Sequence, residues 1–266
     1  MRVLSSFWAG ARLSEIELAS IHSFLAVGHD VRVYSYTPIA NLPRGVEARD
    51  AAEILPAEKI LTFRDREHPS PALHSDLFRY AMLKKTTAIW VDLDIIALKP
   101  FPDDEFLFGF EEAGLVNGAV LRLPAASGTL HDLLQFKPDT RGVPPQITGF
   151  RRYKYWLKTF GRGYSIDCWP WGSIGPKGLT TFLRRNDEMH HAKPVEVFYP
   201  VSVKDHAALL EPGRWTEADF GPQTCCVHLW GKHIRDCLCR THGGKAPQGS
   251  FLARAIDAAR IAGMMD

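Results

Sequence analysis

The chain has no apolar run approaching the roughly 20 residues of a membrane-spanning helix. It also has no C-x-x-C pair, no internal repeat and no low-complexity linker. Each absence narrows the field. No stretch is a candidate for an integral membrane helix. There are five cysteines, an odd number, and four crowd together as Cys225, Cys226, Cys237 and Cys239. A disulfide framework is therefore not expected, and reduced thiols in a cytoplasmic protein fit better. A zinc site drawing on these thiols with His228, His233 and His242 is the alternative, although the spacing matches no standard zinc pattern. A formal net charge of only +2 lacks the clustered basic excess of a general nucleic-acid binder.

What remains is ordinary for a globular protein: 266 residues, 45% hydrophobic and 23% charged. That is enough chain to bury a substantial core as one large α/β domain. Arg2 followed by Val3–Ala11 superficially resembles a short signal peptide. Ser5 and Ser6 interrupt it and Arg12 follows at once, so Val3–Trp8 reads instead as a first buried strand.

Strands then alternate with helices. Ser14-x-x-Glu17 is a capping box, and Ile16, Ile21, Phe24 and Leu25 give the helix behind it an apolar face up to Gly28. Val31–Tyr36 is a second strand. Pro38–Pro71 reads as irregular, with short helical pieces near Ala51. A helix from Ala72 to Lys85 leads into the strand Ile89–Val91, and this β-α-β-α-β order implies a mostly parallel sheet flanked by helices. Further on, Gly118–Leu123 reads as a strand, Ser127–Phe136 as a helix, 138–149 as a loop, and Gly175–Arg185 and Phe251–Ala262 as helices.

The chemistry concentrates where the third of these strands ends. Ala88-Ile89-Trp90-Val91-Asp92-Leu93-Asp94 is an apolar strand stopping at two carboxylates one residue apart. In open α/β sheets ligands bind beyond the carboxyl ends of strands, and two hard oxygen ligands suit Mg²⁺ or Mn²⁺. The spacing alone is weak. Similar acid-x-acid pairs occur at Glu15/Glu17, Asp65/Glu67, Asp103/Glu105 and Glu217/Asp219, and a strand can simply end on polar residues. On the preceding helix, Asp76 and Arg79 are three apart and share a face. In isolation they read as an ion pair contributing a few tenths of a kcal/mol. Beside Asp-x-Asp, an arginine can neutralise phosphate and an aspartate can fix sugar hydroxyls.

Ser75-Asp76-x-x-Arg79-Tyr80 followed by Ile89-Trp90-Val91-Asp92-x-Asp94 resembles the DXD-containing sugar-binding region of retaining glycosyltransferases. The match is with glycosyltransferase family 32 and the related α1,4-galactosyl- and N-acetylglucosaminyltransferases, whose core the clostridial glucosylating toxins share. It is specific over Ala72–Pro102 and looser around Phe7-Trp8-x-Gly10, Val116-Asn117-Gly118, Gly172-Ser173-Ile174-Gly175-Pro176 and His228-Leu229-Trp230. Trp90 stands where the family commonly has tyrosine.

The resemblance implies a GT-A (Rossmann-like) fold in one catalytic domain, 1–266, with residues 1–100 binding the nucleotide-sugar and 101–266 facing the acceptor. It implies a UDP-sugar donor, a glycan or glycolipid acceptor and Mn²⁺ or Mg²⁺, in surface polysaccharide synthesis. Carried over, Trp8 would stack on uracil, and Asp76 and Arg79 would hold the sugar. Asp92 would contact ribose and sugar, Asp94 would bind the metal with His228 as a further ligand, and Asn117, Gly118 and Gly175 would line the donor site. Each has a plainer role to compete with: Trp8 as core, Asn117 as a turn cap, Gly175-Pro176 as a helix start, His228 as a buried histidine. Two other classes stay open. Strand-Asp-x-Asp also opens haloacid-dehalogenase-type phosphatases, though Ile95-Ile96-Ala97-Leu98 is not the continuation those need. A sugar-nucleotide-binding protein without turnover is the other.

One stretch stands apart. Residues 151–162 read Arg-Arg-Tyr-Lys-Tyr-Trp-Leu-Lys-Thr-Phe-Gly-Arg, and 140–166 contains no acidic residue. Basic and aromatic side chains together suit peripheral contact of 150–164 with an anionic membrane face, or an acidic or sugar acceptor. A solvated helix with its aromatics turned inward is the alternative.

Overall fold

A computed structural model describes residues 2–64 and 70–265; the Asp65/Glu67 pair lies outside the described residues. The first strand, β1 (Leu4–Phe7), is wholly buried. Helix α1 (Glu15–Ala26) starts with the expected capping box, Ser14 and Glu17 each satisfying the other's backbone. It stops at Gly28, whose φ of +89° suits a residue without a side chain. Next come β2 (Val31–Ser35) and β3 (Val46–Asp50). The latter is a finding, because this stretch reads as irregular. Its residues alternate charged and small and are mostly exposed, so burial leaves no periodic signal on an edge strand.

Helix α2 (Ala72–Lys85) and β4 (Ile89–Val91) fall where expected. They are followed by β5 (Ile95–Ala97), β6 (Leu107–Glu112), β7 (Leu115–Arg122), α3 (Gly128–Leu133), β8 (Arg141–Gly142), α4 (Gly149–Leu157) and β9 (Tyr164–Ser165). Helix α5 (Pro176–Arg185) opens with proline at its first turn, where the missing N–H costs nothing. The chain finishes with α6 (Val195–Phe198), β10 (Cys226–His228), α7 (Gly231–Thr241) and α8 (Phe251–Ile261).

Six strands form a mixed, mostly parallel central sheet in the order β3-β2-β1-β4-β7-β6, with helices around it. β1 runs parallel to β2 and β4, and β2 parallel to β3. β7 reverses against β4 and pairs antiparallel with β6. The architecture is compatible with a Rossmann-like fold. β4 is buried on all three residues, and Trp90 is among the largest side chains with essentially no exposure. Truncating such a residue typically costs about 3–5 kcal/mol.

Beyond Asp94 the chain leaves the sheet. β5 pairs antiparallel with β10, His228 opposite Ile95, and α1 clamps this ribbon: Ser20 Oγ donates to the Ile95 carbonyl at 2.6 Å, and the Ala97 N–H donates to Ser23 Oγ at 2.9 Å. The C-terminal segment is thereby laid against the end of β4.

Candidate metal and ligand site

Asp92 and Asp94 follow β4 directly. The Asp92 N–H donates to the Ala119 carbonyl of β7 at 2.8 Å, and the Leu229 N–H donates to the Asp94 carbonyl at 2.8 Å. The turn holding both carboxylates is therefore tied on two sides. His228, the last residue of β10, places Nε2 3.2 Å from Asp94 Oδ2, and the Gly231 N–H at the start of α7 donates to the same oxygen at 2.7 Å. Ligand atoms of Asp92, Asp94 and His228 all lie within 4.8 Å of one another, so the three could hold a metal ion. Two carboxylates and one imidazole make a donor set that suits Mn²⁺ and, less well, Mg²⁺. His228 Nδ1 is buried without a hydrogen-bond partner in the protein, so the ring has unspent donor or acceptor capacity.

The charges of the three act on one another. Burial pushes Asp92 up, and Arg79 only partly offsets it. Burial also acts on Asp94, but the His228 imidazole and the Gly231 N–H outweigh it and hold Asp94 below the usual carboxylate range. Burial lowers His228, yet the facing carboxylates Asp94, Asp92 and Glu111 bring it above the ordinary imidazole value. The site concentrates carboxylate oxygens whose negative charge a divalent cation would neutralise.

Arg79 differs most from its expected surface pairing. Its Nη2 donates to Asp92 Oδ1 at 3.0 Å and sits 3.7 Å from Asp76, while Nη1 donates to the Gly118 carbonyl at 2.8 Å. Its side chain is only 7% exposed, and its guanidinium lies 4.8 Å from the centre of the Trp90 ring. It thus joins α2, the end of β4 and β7 in one buried network. Trp90 Nε1 donates to Asp92 Oδ1 at 2.7 Å, fixing that carboxylate from the other side. Burial drives Asp76 up to about 7 despite Arg79.

Two glycines permit this packing. A Cβ at Gly118 would stand 2.5 Å from Arg79 Nη1, and one at Gly175 would stand 2.8 Å from Asp76 Oδ2. Gly175 is also the residue before α5, so its plainer role holds as well. Asn117 does not cap a turn: it sits inside β7, where its Nδ2 donates to Glu111 Oε2 at 2.5 Å and its Oδ1 accepts from the Ala119 N–H. Trp8 is half-buried after β1, against the core on one side, with its indole N–H donating to the Arg12 carbonyl at 3.0 Å.

These residues line one cavity of about 970 Å³, including Trp8, Asp76, Arg79, Asp92, Asp94, Asn117 and His228. Its walls draw on β1, α2, the end of β4, β6, β7 and the start of α7. Gly118 and Gly175 stand behind it, against Arg79 and Asp76. Sequence reading missed Glu111, Glu17, Trp171 and Arg235, which also line it. Glu111, one residue before the end of β6, accepts from the Asn117 carboxamide, and burial raises its carboxyl above the ordinary value. Arg235 pairs with the buried Glu17, joining α7 to the first turn of α1. The Arg235–Glu17 pairing spans 218 positions, a separation that no local pattern signals.

The cysteine alternative is not realised. Cys225 lies just before β10 and Cys226 within it, both buried, whereas Cys237 and Cys239 lie on α7. Among the described residues they join no group of converging metal ligands, and His228 turns instead to Asp94. The basic aromatic segment also departs from the inward-facing alternative, since no residue of α4 is buried. No helix of the described residues is long and apolar enough to cross a membrane. No family model matches the chain, and no curated protein matches it.

Proposed function

We propose that this chain is a metal-dependent retaining glycosyltransferase of GT-A type that moves a hexose from a UDP-sugar to a glycan or glycolipid acceptor in surface polysaccharide synthesis. The observation that carries the reading is the convergence of Asp92, Asp94 and His228 in a cavity walled by Asp76, Arg79 and Trp8. The same residues were singled out by the sequence resemblance, and β4, β7 and β10 bring them together from 220 positions of chain, Trp8 to His228.

In this reading Trp8 offers an aromatic face to the base, Asp76 and Arg79 hold the sugar hydroxyls and Asp92 contacts ribose and sugar. Asp94 and His228 would hold the divalent cation. Such a cation supplies positive charge where negative charge develops on the departing diphosphate. Arg79 orients Asp92 and offsets part of the cost of burying its charge. Retention of configuration comes from the resemblance, and the cytoplasmic setting from the cysteine usage.

In the phosphatase reading Asp92 would attack phosphorus, but Ile95-Ile96-Ala97-Leu98 is not the continuation that class needs. The decisive experiment is incubation with a panel of UDP-sugars and Mn²⁺, measuring released UDP. Release that stops with EDTA and with Asp94→Asn is expected. Full activity in excess chelator overturns the metal assignment. Phosphate released from phosphate esters supports the phosphatase reading, and saturable UDP-sugar binding with no released UDP supports a binding protein.

A further inference from the structure

Seven large hydrophobic side chains are exposed among the described residues, and five of them fall within eleven consecutive positions: Phe150, Tyr153, Trp156, Leu157 and Phe160. This concentration is unlike the scattered apolar exposure of an ordinary surface. No residue of α4 is buried. β8 and β9 pair antiparallel, Arg141 opposite Ser165, and this two-stranded stem closes the base of the excursion that carries α4.

On α4, Phe150, Tyr153 and Leu157 repeat at helical spacing along one stripe, and Arg151, Lys154 and Lys158 repeat along the next. Lys154 lies over the Phe150 ring, 4.8 Å from its centre. After the helix, Phe160 adopts φ +49°, a left-handed conformation rare for a phenylalanine, and its side chain is 94% exposed. The strained turn points an aromatic ring into solvent at the end of the apolar stripe. No acidic residue occurs between 140 and 166, while Arg141, Arg151, Arg152, Lys154, Lys158 and Arg162 all do.

We infer that α4 and the turn after it seat the protein peripherally on an anionic lipid bilayer. The aromatic and leucine side chains enter the headgroup region while the neighbouring cations meet acidic headgroups. The charge of one sign matches an anionic leaflet, and the aromatic rings match the interface between headgroup and acyl chain. The inference stands whether or not the transferase reading does, because no α4 side chain lines the cavity.

Flotation of the full chain with phosphatidylcholine vesicles, with and without about a third phosphatidylglycerol, tests it. Binding to the anionic vesicles only, weakening as salt rises from 0.1 to 0.5 M, is expected. Each cation near the leaflet contributes about fivefold, so reversing Arg151, Arg152, Lys154 and Lys158 to glutamate should lower binding by at least ~100-fold. Phe160→Ser should lower it by about tenfold. Circular dichroism and melting of both variants should match the parent, since α4 covers no core. Equal binding to neutral vesicles, unchanged binding by the glutamate variant, or capture of an RNA homopolymer with vesicles ignored overturns the inference. UDP release with a soluble acceptor, unchanged in both variants, separates this test from that of the cavity.

Discussion

Arg79 is where the structure makes the sharpest numerical demand. Replacing it by methionine keeps much of the side-chain volume and removes the guanidinium that lies 3.0 Å from Asp92 and 3.7 Å from Asp76. Breaking a buried pair and leaving the carboxylates behind costs about 3–5 kcal/mol, far above the few tenths of an exposed helical pair. For a chain of this size each kcal/mol shifts Tm by roughly 2–4 °C, so a loss of about 6–20 °C at pH 8 is expected. The pH dependence supplies a second signature. Burial raises both carboxyls and Arg79 lowers them, so removing it moves their folded values further above the unfolded ones. The folded variant then binds more protons than the unfolded chain, and its deficit must grow as pH rises and shrink as pH falls toward 4. Thermal unfolding of parent and variant, followed by circular dichroism at pH 5 and pH 8, measures both. A Tm within 2 °C of the parent at pH 8 would show that Asp76 and Asp92 are solvated, and the buried network would be refuted. Arg79→Lys should fall between, keeping charge but losing the fork that reaches Gly118 and Asp92 together.

Asp76→Asn should do the opposite to stability. With its folded value at about 7, the aspartate weakens the fold as pH rises through about 4 to 7, so the amide should raise Tm at pH 8 by a margin worth about 2–4 kcal/mol while UDP release falls; a lower Tm at pH 8 contradicts this. His74 is wholly buried, accepts from the Leu61 N–H at Nδ1 and meets the Tyr36 hydroxyl 2.8 Å from Nε2. Burial pushes it down to about 4, so the unfolded chain takes up the proton first as pH falls from 6.5, and stability should drop by up to about 3 kcal/mol by pH 4. Urea unfolding of His74→Gln between pH 7 and 4.5 should show a flatter profile than the parent, and an equal slope would remove His74 as the cause. Gly118→Ala forces a methyl to within 2.5 Å of Arg79 Nη1, so about 1–3 kcal/mol of stability and most UDP release should be lost together; an alanine variant with parent-like melting would show that Arg79 can move aside freely.

Local chemistry carried the early elements far. The capping box at Ser14, the apolar periodicity of 72–85 and the bare run Ile89–Val91 each report their own structure, because cap, helix face and buried strand are set by residues within a few positions of one another. The Asp-x-Asp pair was equally visible, since a strand end is local. β3 was hidden because an exposed edge strand needs no hydrophobic alternation. Helix α7 was hidden because it starts behind a left-handed Trp230 with no side-chain cap to mark it. What the sequence could not weigh was the company each side chain keeps. Arg79 beside Asp76 looks like a surface pair until β7 brings the Gly118 carbonyl and β4 brings Asp92 against the same guanidinium. Glu111 becomes part of the site only through the pairing of β6 with β7. His228 gains its meaning from the antiparallel β5–β10 ribbon that carries it across 134 positions to Asp94. Sequence by itself determined the locally marked elements and the residue types available for chemistry; tertiary structure alone decided which charges are buried together, because burial and pairing are properties of neighbours in space.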